Sequence, residues 1–215
     1  MNDTNKMFTS SCHKLYFRYG TMNSSKTMQL LVTAHNYERH GKRVIIVKPK
    51  IDTRFSIECV KSRTGLIMKA DILVGINDSI TDNDIFTCKK VGFSCVLVDE
   101  CQFLTPKQIE ELRLLTIHMP VICYGLRTNY TGTLFPGAKR LMELADSIEE
   151  IKNICTYCNR KSIINMKCIK GMVIKSGDCA PDLGCEEKYL PVCWKCWHYK
   201  EEYKPQQDSE DRKKR

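Results

Sequence analysis

Residues 19–27, with the sequence YGTMNSSKT, carry most of the phosphate-binding pattern G-x-x-x-x-G-K-[ST]. In such a loop the backbone N–H groups point at phosphate oxygens, the lysine neutralises negative charge and the final hydroxyl contacts Mg²⁺. The residues expected to surround the phosphates are Gly20, Thr21, Met22, Asn23, Ser24, Ser25, Lys26 and Thr27. Ser25 stands where the pattern has its second glycine, which costs free energy only if this position requires a positive φ angle.

A second motif lies in CVLVDECQF, residues 95–103. Aliphatic residues followed by Asp99 and Glu100 look like a Walker B strand, which delivers a carboxylate to Mg²⁺ at the carboxyl edge of a sheet. Asp99 and Thr27 are then the predicted Mg²⁺ ligands, and Glu100 is the candidate base that orients a nucleophile. The alternative is a strand that simply ends in two surface carboxylates. The order of the two half-motifs favours one site for phosphoryl transfer.

Two C-x-x-C pairs, at Cys155 and Cys158 and at Cys193 and Cys196, are separated by 34 residues. Thiolates at this spacing can share one tetrahedral zinc ion, and such sites are usually structural. Zinc contributes on the order of 10 kcal/mol to the folding of a small module, more than a few apolar residues supply. A redox C-x-x-C is the alternative, but that motif normally occurs once. Substitute ligands could come from Cys168, Cys179, Cys185 and His198, none of which is paired at this spacing.

Short aliphatic segments typical of buried parallel strands position these motifs. They are residues 44–47, 95–99 and 121–125, and each is followed by a loop or a helix, while residues 15–19 form a short, alternating strand-like segment rich in aromatic residues. Strands that alternate with helices predict an α/β fold with a P-loop NTPase-like parallel sheet and flanking helices. Beyond residue 150 the composition shifts to cysteine, lysine and glycine. We therefore expect an α/β domain over 14–150 and a small zinc-binding domain over 151–199.

Three helices are expected, each after one of these strands. The first begins after Lys26 and ends at Gly41, with Met28, Leu31, Val32 and His35 on one face. The second follows a capping box of Thr105 and Gln108, with proline at its first position. The third runs from Ala138 to about Glu150 through Leu141, Leu144, Ala145 and Ile148.

Composition excludes several classes of protein. The chain has 215 residues, 42% of them hydrophobic, which is enough for a core. Residues 1–13 lack an apolar leader segment, and the 13 cysteines are odd in number, so reduced thiols or metal ligands in the cytoplasm are expected. We expect no membrane span. The net charge of +9 is spread along the chain, so phosphorylated ligands are favoured over nucleic acid.

Residues 1–13 and 200–215 are polar and expected to be flexible or disordered.

In this order, the phosphate loop, VDECQF at 98–103, CYGLRT at 123–128 and the paired cysteines closely resemble thymidine kinases of the cytosolic, zinc-containing class. The resemblance covers about residues 14–199 and includes KPKIDTRF at 48–55 and LGCEEKY at 183–189, which are similar to the family's arginine-bearing loop and tyrosine-containing stretch. It implies ATP-dependent phosphorylation of the 5′-hydroxyl of thymidine, with deoxyuridine as a further substrate, in nucleotide salvage. It also implies a zinc-bearing lasso domain and a homotetramer.

The resemblance also implies roles for individual residues. Lys26, Glu100 and Arg54 would be catalytic, with Glu100 as the base for the 5′-hydroxyl and Arg54 near the transferring phosphates. Thr27 and Asp99 match the magnesium positions. Residues 159–192 resemble the family's lasso loop, whose backbone groups bind the pyrimidine. The substrate-binding positions fall on Met22, Phe103, Leu126, Tyr130, Phe135, Leu183, Gly184 and Tyr189, and ordinary core packing is the alternative for the apolar ones.

The chain departs from the family pattern at Ser25 and Cys185, where glycines are usual. Two other functions remain open from the sequence. One is an ATPase coupled to nucleic acid through the zinc module, for which Trp194, Lys195 and Trp197 are the only suggestive residues. The other is a noncatalytic homologue that binds nucleotide but has lost turnover through Ser25.

Overall fold

The computed structural model describes residues 12–53, 58–87, 92–177 and 187–202. The strands are β1 (Leu15–Tyr19), β2 (Val44–Pro49), β3 (Cys59–Lys61), β4 (Ile67–Lys69), β5 (Ile72–Val74), β6 (Cys95–Val98), β7 (Val121–Gly125), β8 (Ser147–Glu150), β9 (Ile164–Ile169), β10 (Met172–Ile174) and β11 (Glu187–Val192). The helices are α1 (Lys26–Arg39), α2 (Asp84–Thr87), α3 (Pro106–Leu115), α4 (Pro136–Leu144) and α5 (Trp194–Tyr199), and a 3₁₀ turn occupies Cys101–Phe103.

The main sheet has six strands in the order β5-β2-β6-β7-β1-β8. All of its pairings are parallel, which confirms the predicted α/β class. β1 lies between β7 and β8, with Phe17 opposite both Cys123 and Ile148. Because the strands are parallel, their carboxyl ends meet at one edge of the sheet, and the phosphate loop follows β1 at this edge.

Apolar side chains cover both faces of this sheet. On one face, α3 and α4 pack Ile109, Leu112 and Leu141 into a core that contains Leu15 and Phe17 of β1. On the other face, α1 packs against the strands through a second core. Each fully buried leucine or phenylalanine stabilises the fold by about 1.5–3 kcal/mol relative to an exposed one. Helices on both faces therefore hold the sheet edge that carries the motifs.

Helix α1 spans Lys26–Arg39, within two residues of the predicted bounds, but its buried face differs from the predicted one. Leu30, Leu31 and Ala34 are buried, whereas Val32 is 45% exposed and His35 faces solvent. The neighbouring strands are covered by the helix face that carries Leu30 and Ala34, four residues apart. The prediction was wrong because two adjacent apolar residues, Leu31 and Val32, allow more than one choice of face.

Helix α4 ends at Leu144, so the prediction of a helix to Glu150 was wrong beyond that residue. Ala145 is already extended, with ψ of 136°. Residues 147–150 instead form β8 and pair with β1. The carboxylate of Asp146 accepts a hydrogen bond from the N–H of Leu15 at 2.8 Å, which aligns this strand beside β1.

The C-terminal part forms a separate antiparallel sheet of three strands in the order β10-β9-β11. Its core is small and consists of Cys155, Met166, Cys168, Val192 and Cys193, all buried. The β9–β10 hairpin turns through Lys170 and Gly171, whose φ angles are 48° and 82°. β3 and β4 form a further antiparallel hairpin.

Within the described ranges, no helix is both long enough and apolar enough to cross a bilayer. Of the ends expected to be flexible, residues 1–11 and 203–215 lie outside the described residues.

Candidate active site and cysteine cluster

A cavity of about 330 Å³ opens at the carboxyl edge of the main sheet. It lies where the phosphate loop, the end of β6 and the β3–β4 hairpin meet, which is where open α/β sheets usually bind ligands. The predicted residues on its wall are Met22, Asn23, Ser25, Lys26, Thr27, Asp99, Glu100 and Leu126. The structure thus brings the two half-motifs together around one space.

The phosphate loop is held tightly against its surroundings. A side chain at Gly20 would place a Cβ 2.4 Å from Ser24 Oγ and 2.5 Å from the carbonyl oxygen of Ile151, so only glycine fits there. Lys26 Nζ donates to the carbonyl oxygen of Thr21 at 2.8 Å, and Lys26 is only 8% exposed. The lysine therefore closes the loop on which it stands, in the position expected to meet phosphate oxygens.

Ser25, the residue in place of the loop glycine, adopts the left-handed conformation with φ of 65° and ψ of 24°. This is the backbone region that glycine enters freely and serine enters at a cost of roughly 1–2 kcal/mol. Its side chain makes no capping hydrogen bond to α1, although Ser25 is the N-cap residue. Position 25 therefore has the positive φ angle at which a serine is strained relative to glycine.

We expect Ser25→Gly to raise the free energy of unfolding by up to about 1 kcal/mol, because relief of backbone strain exceeds the added chain entropy of glycine. Urea unfolding of wild type and variant measures this difference. Ser25→Ala is the matched control, since it removes the hydroxyl but keeps the strained Cβ. ATP affinity should be equal or higher in Ser25→Gly. Weaker ATP binding in both variants would show instead that the hydroxyl contacts the phosphates.

Thr27 and Asp99, the two predicted magnesium ligands, lie within contact distance of each other. Thr27 Oγ1 lies 3.3 Å from Asp99 Oδ1 and 3.4 Å from Oδ2. Mg²⁺ prefers oxygen ligands and is usually held by one or two protein groups together with water and substrate phosphates. A hydroxyl and a carboxylate next to the phosphate loop fit this preference.

Glu100 is held by a side chain that the sequence did not single out. The chain turns sharply at Glu100, whose φ is 49°, as it leaves β6. Gln102 Nε2 donates to Glu100 Oε2 at 2.6 Å, and the N–H of Leu126 donates to Gln102 Oε1 at 2.9 Å. Because the backbone fixes the carbonyl end of the Gln102 amide, its N–H end faces the carboxylate. Gln102 is 1% exposed, so this arrangement is shielded from water.

The cavity has a second wall, most of which no sequence motif indicated. It is formed by residues of the β3–β4 hairpin and its turn, namely Cys59, Val60, Lys61, Ser62, Arg63 and Thr64. The buried pair Lys48 and Asp52 also lines it, with Lys48 Nζ 3.4 Å from Asp52 Oδ2 and donating to the carbonyl oxygen of Cys59 at 3.1 Å. In the sequence, the position of Lys48 directly after the aliphatic segment 44–47 could have indicated that this lysine lies at the site.

The predicted nucleoside-binding residues fall into separate groups. Met22 and Leu126 line the cavity, and the Phe103 and Phe135 rings meet edge to face with centroids 5.9 Å apart. Tyr130 is 5% exposed and its carbonyl oxygen accepts a hydrogen bond from Trp197 Nε1 at 2.9 Å.

Tyr189 is half-buried in β11, opposite Lys167 of β9. Arg54, Leu183 and Gly184 lie outside the described residues, so their predicted roles stay predictions.

The four cysteines of the paired motifs converge in the C-terminal part. Their sulfur atoms all lie within 4.8 Å of one another, and two of the separations are 3.6 and 3.9 Å. A tetrahedral Zn²⁺ site with Zn–S bonds of about 2.3 Å has sulfur atoms about 3.8 Å apart. The arrangement of Cys155, Cys158, Cys193 and Cys196 fits this geometry.

The pKa values of these thiols shift in opposite directions. Burial opposes ionisation of Cys155, but hydrogen bonds from the backbone of Cys193, Tyr157 and Cys158 outweigh it and lower its pKa to about 7. Burial, followed by hydrogen bonds with the neighbouring thiols, raises the pKa of Cys196 to about 12. Crowded thiols therefore resist further ionisation, and a divalent cation shared by all four sulfurs would remove that penalty.

A phosphate loop on a parallel α/β sheet, with a Walker B-type carboxylate near its final threonine, defines a P-loop nucleotide-binding fold, to which the C-terminal part adds a four-cysteine cluster of zinc-site geometry. The thymidine kinase family model matches residues 13–197. The chain therefore belongs to the thymidine kinase family, and its activity is that of an ATP-dependent thymidine kinase.

Similar proteins cover nearly the same length. A thymidine kinase of Streptococcus agalactiae serotype Ia is 41% identical over 191 residues, which span 86% of this chain and 96% of the relative. A thymidine kinase of Lactococcus lactis is 40% identical over 195 residues, 90% of this chain and 98% of the relative. The resemblance inferred from the motifs is confirmed.

Proposed function

We propose that the enzyme transfers the γ-phosphoryl group of ATP to the 5′-hydroxyl of thymidine, and also of deoxyuridine, to give dTMP or dUMP in nucleotide salvage. The observation that supports this reaction at this site is the contact of Thr27 with Asp99 at 3.3 Å, beside Lys26 and Glu100 on the same cavity. Phosphoryl transfer depends mainly on positioning and on stabilisation of charge, and these residues are suited to both.

The phosphate loop and its neighbours would bind the triphosphate. The backbone N–H groups of the phosphate loop that are not already hydrogen-bonded within the protein, together with the Lys26 ammonium, bind the phosphate oxygens, and Arg54 meets the transferring phosphate. Thr27 and Asp99 hold Mg²⁺, which neutralises charge on the β- and γ-phosphates when bound.

Glu100 is proposed as the general base. Its carboxylate accepts the proton of the 5′-hydroxyl as the oxygen attacks, and Gln102 keeps the carboxylate oriented through its hydrogen bond to Oε2. A base attached to the chain directly after the metal ligand Asp99 lies close to both the nucleophile and the phosphate.

The nucleoside would lie beyond Glu100, against the apolar and aromatic side chains. Met22, Phe103, Leu126, Tyr130 and Phe135 wall the pocket, and Leu183, Gly184 and Tyr189 bind the pyrimidine from the lasso loop. Zinc at the four cysteines ties together the two ends of this loop, residues 159–192, so that it can close over the base.

The wider organisation is also part of the proposal. Residues 14–150 form the kinase domain and residues 151–199 the zinc-binding domain, in a homotetramer that acts in the cytoplasm. Nucleic acid is not expected as a partner.

The reaction is tested with purified protein, [γ-³²P]ATP, Mg²⁺ and thymidine or deoxyuridine. We expect label in the nucleoside monophosphate, dependence on Mg²⁺, and no stimulation of ATP hydrolysis by single-stranded DNA. Hydrolysis that requires DNA would favour an ATPase coupled to nucleic acid. Binding of ATP without transfer to either nucleoside would favour a noncatalytic homologue.

A further inference from the structure

The C-terminal sheet turns a polar face towards the phosphate loop. Side chains alternate along β9, so that Met166 and Cys168 pack into the small core. Asn165 and Lys167 lie on the opposite face, towards the kinase sheet, and Lys167 Nζ is 5.3 Å from the centre of the Tyr130 ring. The central strand of the C-terminal sheet therefore connects its own core with the active-site side of the molecule.

The Asn165 side chain holds the peptide group between Thr21 and Met22. Its Oδ1 accepts a hydrogen bond from the N–H of Met22 at 2.7 Å. The carbonyl at the other side of the same peptide group, that of Thr21, accepts from Lys26 Nζ at 2.8 Å. A peptide group is planar, so a hydrogen bond that fixes its N–H also fixes the direction of its carbonyl.

Two further side chains hold the same stretch of the loop. Asn153 Nδ2 donates to the carbonyl oxygen of Met22 at 3.0 Å, and Ser162 Oγ lies 2.8 Å from Thr21 Oγ1. Asn165 is 5% and Ser162 2% exposed, so water competes little for these contacts. Side chains of the C-terminal part thus hydrogen-bond to residues 21 and 22 of the phosphate loop, while Lys26 makes a hydrogen bond within the loop itself.

We propose that Asn165 is a positioning residue that acts through Lys26. It orients the Thr21 carbonyl against which the ammonium lies and so prepares the phosphate loop for ATP. The contacts of Lys26 Nζ with the Thr21 carbonyl oxygen at 2.8 Å and with Ser24 Oγ at 3.5 Å fix the ammonium group on the wall of the cavity, where it meets phosphate oxygens. The C-terminal part then helps to position the phosphate loop for ATP, in addition to its proposed role in binding the nucleoside. This inference rests on the proposed role of Lys26 in binding phosphate.

The test is calorimetric titration of a non-hydrolysable ATP analogue with Mg²⁺. Asn165→Leu keeps the size of the side chain but leaves the Met22 N–H without its acceptor, and we expect about tenfold weaker binding. In the Lys26→Ala background the same change should weaken binding by less than about twofold, because the lysine through which it acts is gone. A residue that only stabilised the fold would not show this dependence on Lys26.

Asn36→Leu makes the same substitution at an exposed position of α1, outside the phosphate loop and the lasso loop, and should bind the analogue like wild type. Asn153→Ala removes the donor to the other end of Met22 and should weaken binding in the same direction, which keeps the test available if Asn165→Leu fails to fold. Wild-type affinity in Asn165→Leu, or an equal loss with and without Lys26, would overturn the inference alone. Wild-type affinity in Lys26→Ala would overturn the role of Lys26 and this inference with it.

Discussion

Glu100→Gln is expected to lower kcat by about 10²- to 10⁴-fold while the protein stays folded. The amide cannot take up the proton of the 5′-hydroxyl at neutral pH, so the attacking oxygen keeps its proton. The substituted side chain has nearly the same size, and its carbonyl oxygen can still accept the hydrogen bond from Gln102. Steady-state kinetics with both substrates and thermal unfolding measure the two effects, and the KM for ATP should change little.

Glu110→Gln is a matched control, because Glu110 is an exposed carboxylate of α3 that pairs with Arg140 on the surface. It should leave kcat unchanged. A near-normal kcat in Glu100→Gln would remove Glu100 as the base, and the buried carboxylate of Asp52 on the same cavity would then be the next candidate.

The second large effect concerns the cysteine cluster. We expect purified protein to contain one Zn²⁺ per chain, and Cys155→Ser combined with Cys193→Ser to abolish it. Loss of a site worth on the order of 10 kcal/mol should unfold β9, β10 and β11, because two of the five residues in their core are themselves cluster cysteines. The parallel sheet, with its own two cores, should remain folded.

Metal analysis and hydrogen exchange followed by mass spectrometry report the two outcomes separately. Cys168→Ser is the control within the same core, since Cys168 is 2% exposed but lies outside the cluster, and it should keep its zinc. Zinc retained by the double variant, or absent from the wild type, would contradict the assignment. Exchange that becomes fast throughout the chain would mean that the parallel sheet depends on the cluster.

The centre of the fold was predictable because its signals are local. Segments 44–47, 95–98 and 121–125 are aliphatic runs, and such runs suit strands that helices cover on both sides. β8 was not predictable in this way. Its sequence, SIEE, is short and charged, and it becomes a strand because the edge of β1, far away in the chain, is available for pairing.

The same distinction applies to the active site. Lys26, Thr27 and Asp99 follow from motifs of a few residues, and the structure brings them together. Gln102 and Asn165 were missed because an amide side chain has no characteristic spacing. What they do depends on the segment opposite, which is Leu126 for one and the phosphate loop for the other. The strained φ angle of Ser25 could be suspected from the motif but required coordinates to establish.

The place of β1 in the sheet has a consequence for how the chain is made. Of the strands in the described part of the chain, β1 is the first to leave the ribosome, yet both of its partners, β7 and β8, are encoded about 100 or more residues later. At about 5–20 residues per second, the nascent chain must wait on the order of 5–20 s before β1 can pair. During that interval the side chains of Leu15 and Phe17 are not covered by the sheet, and the strands beside the phosphate loop have not yet been synthesised. A chain released before residue 121 would present a bare apolar strand, and it is in this interval that a chaperone would be needed.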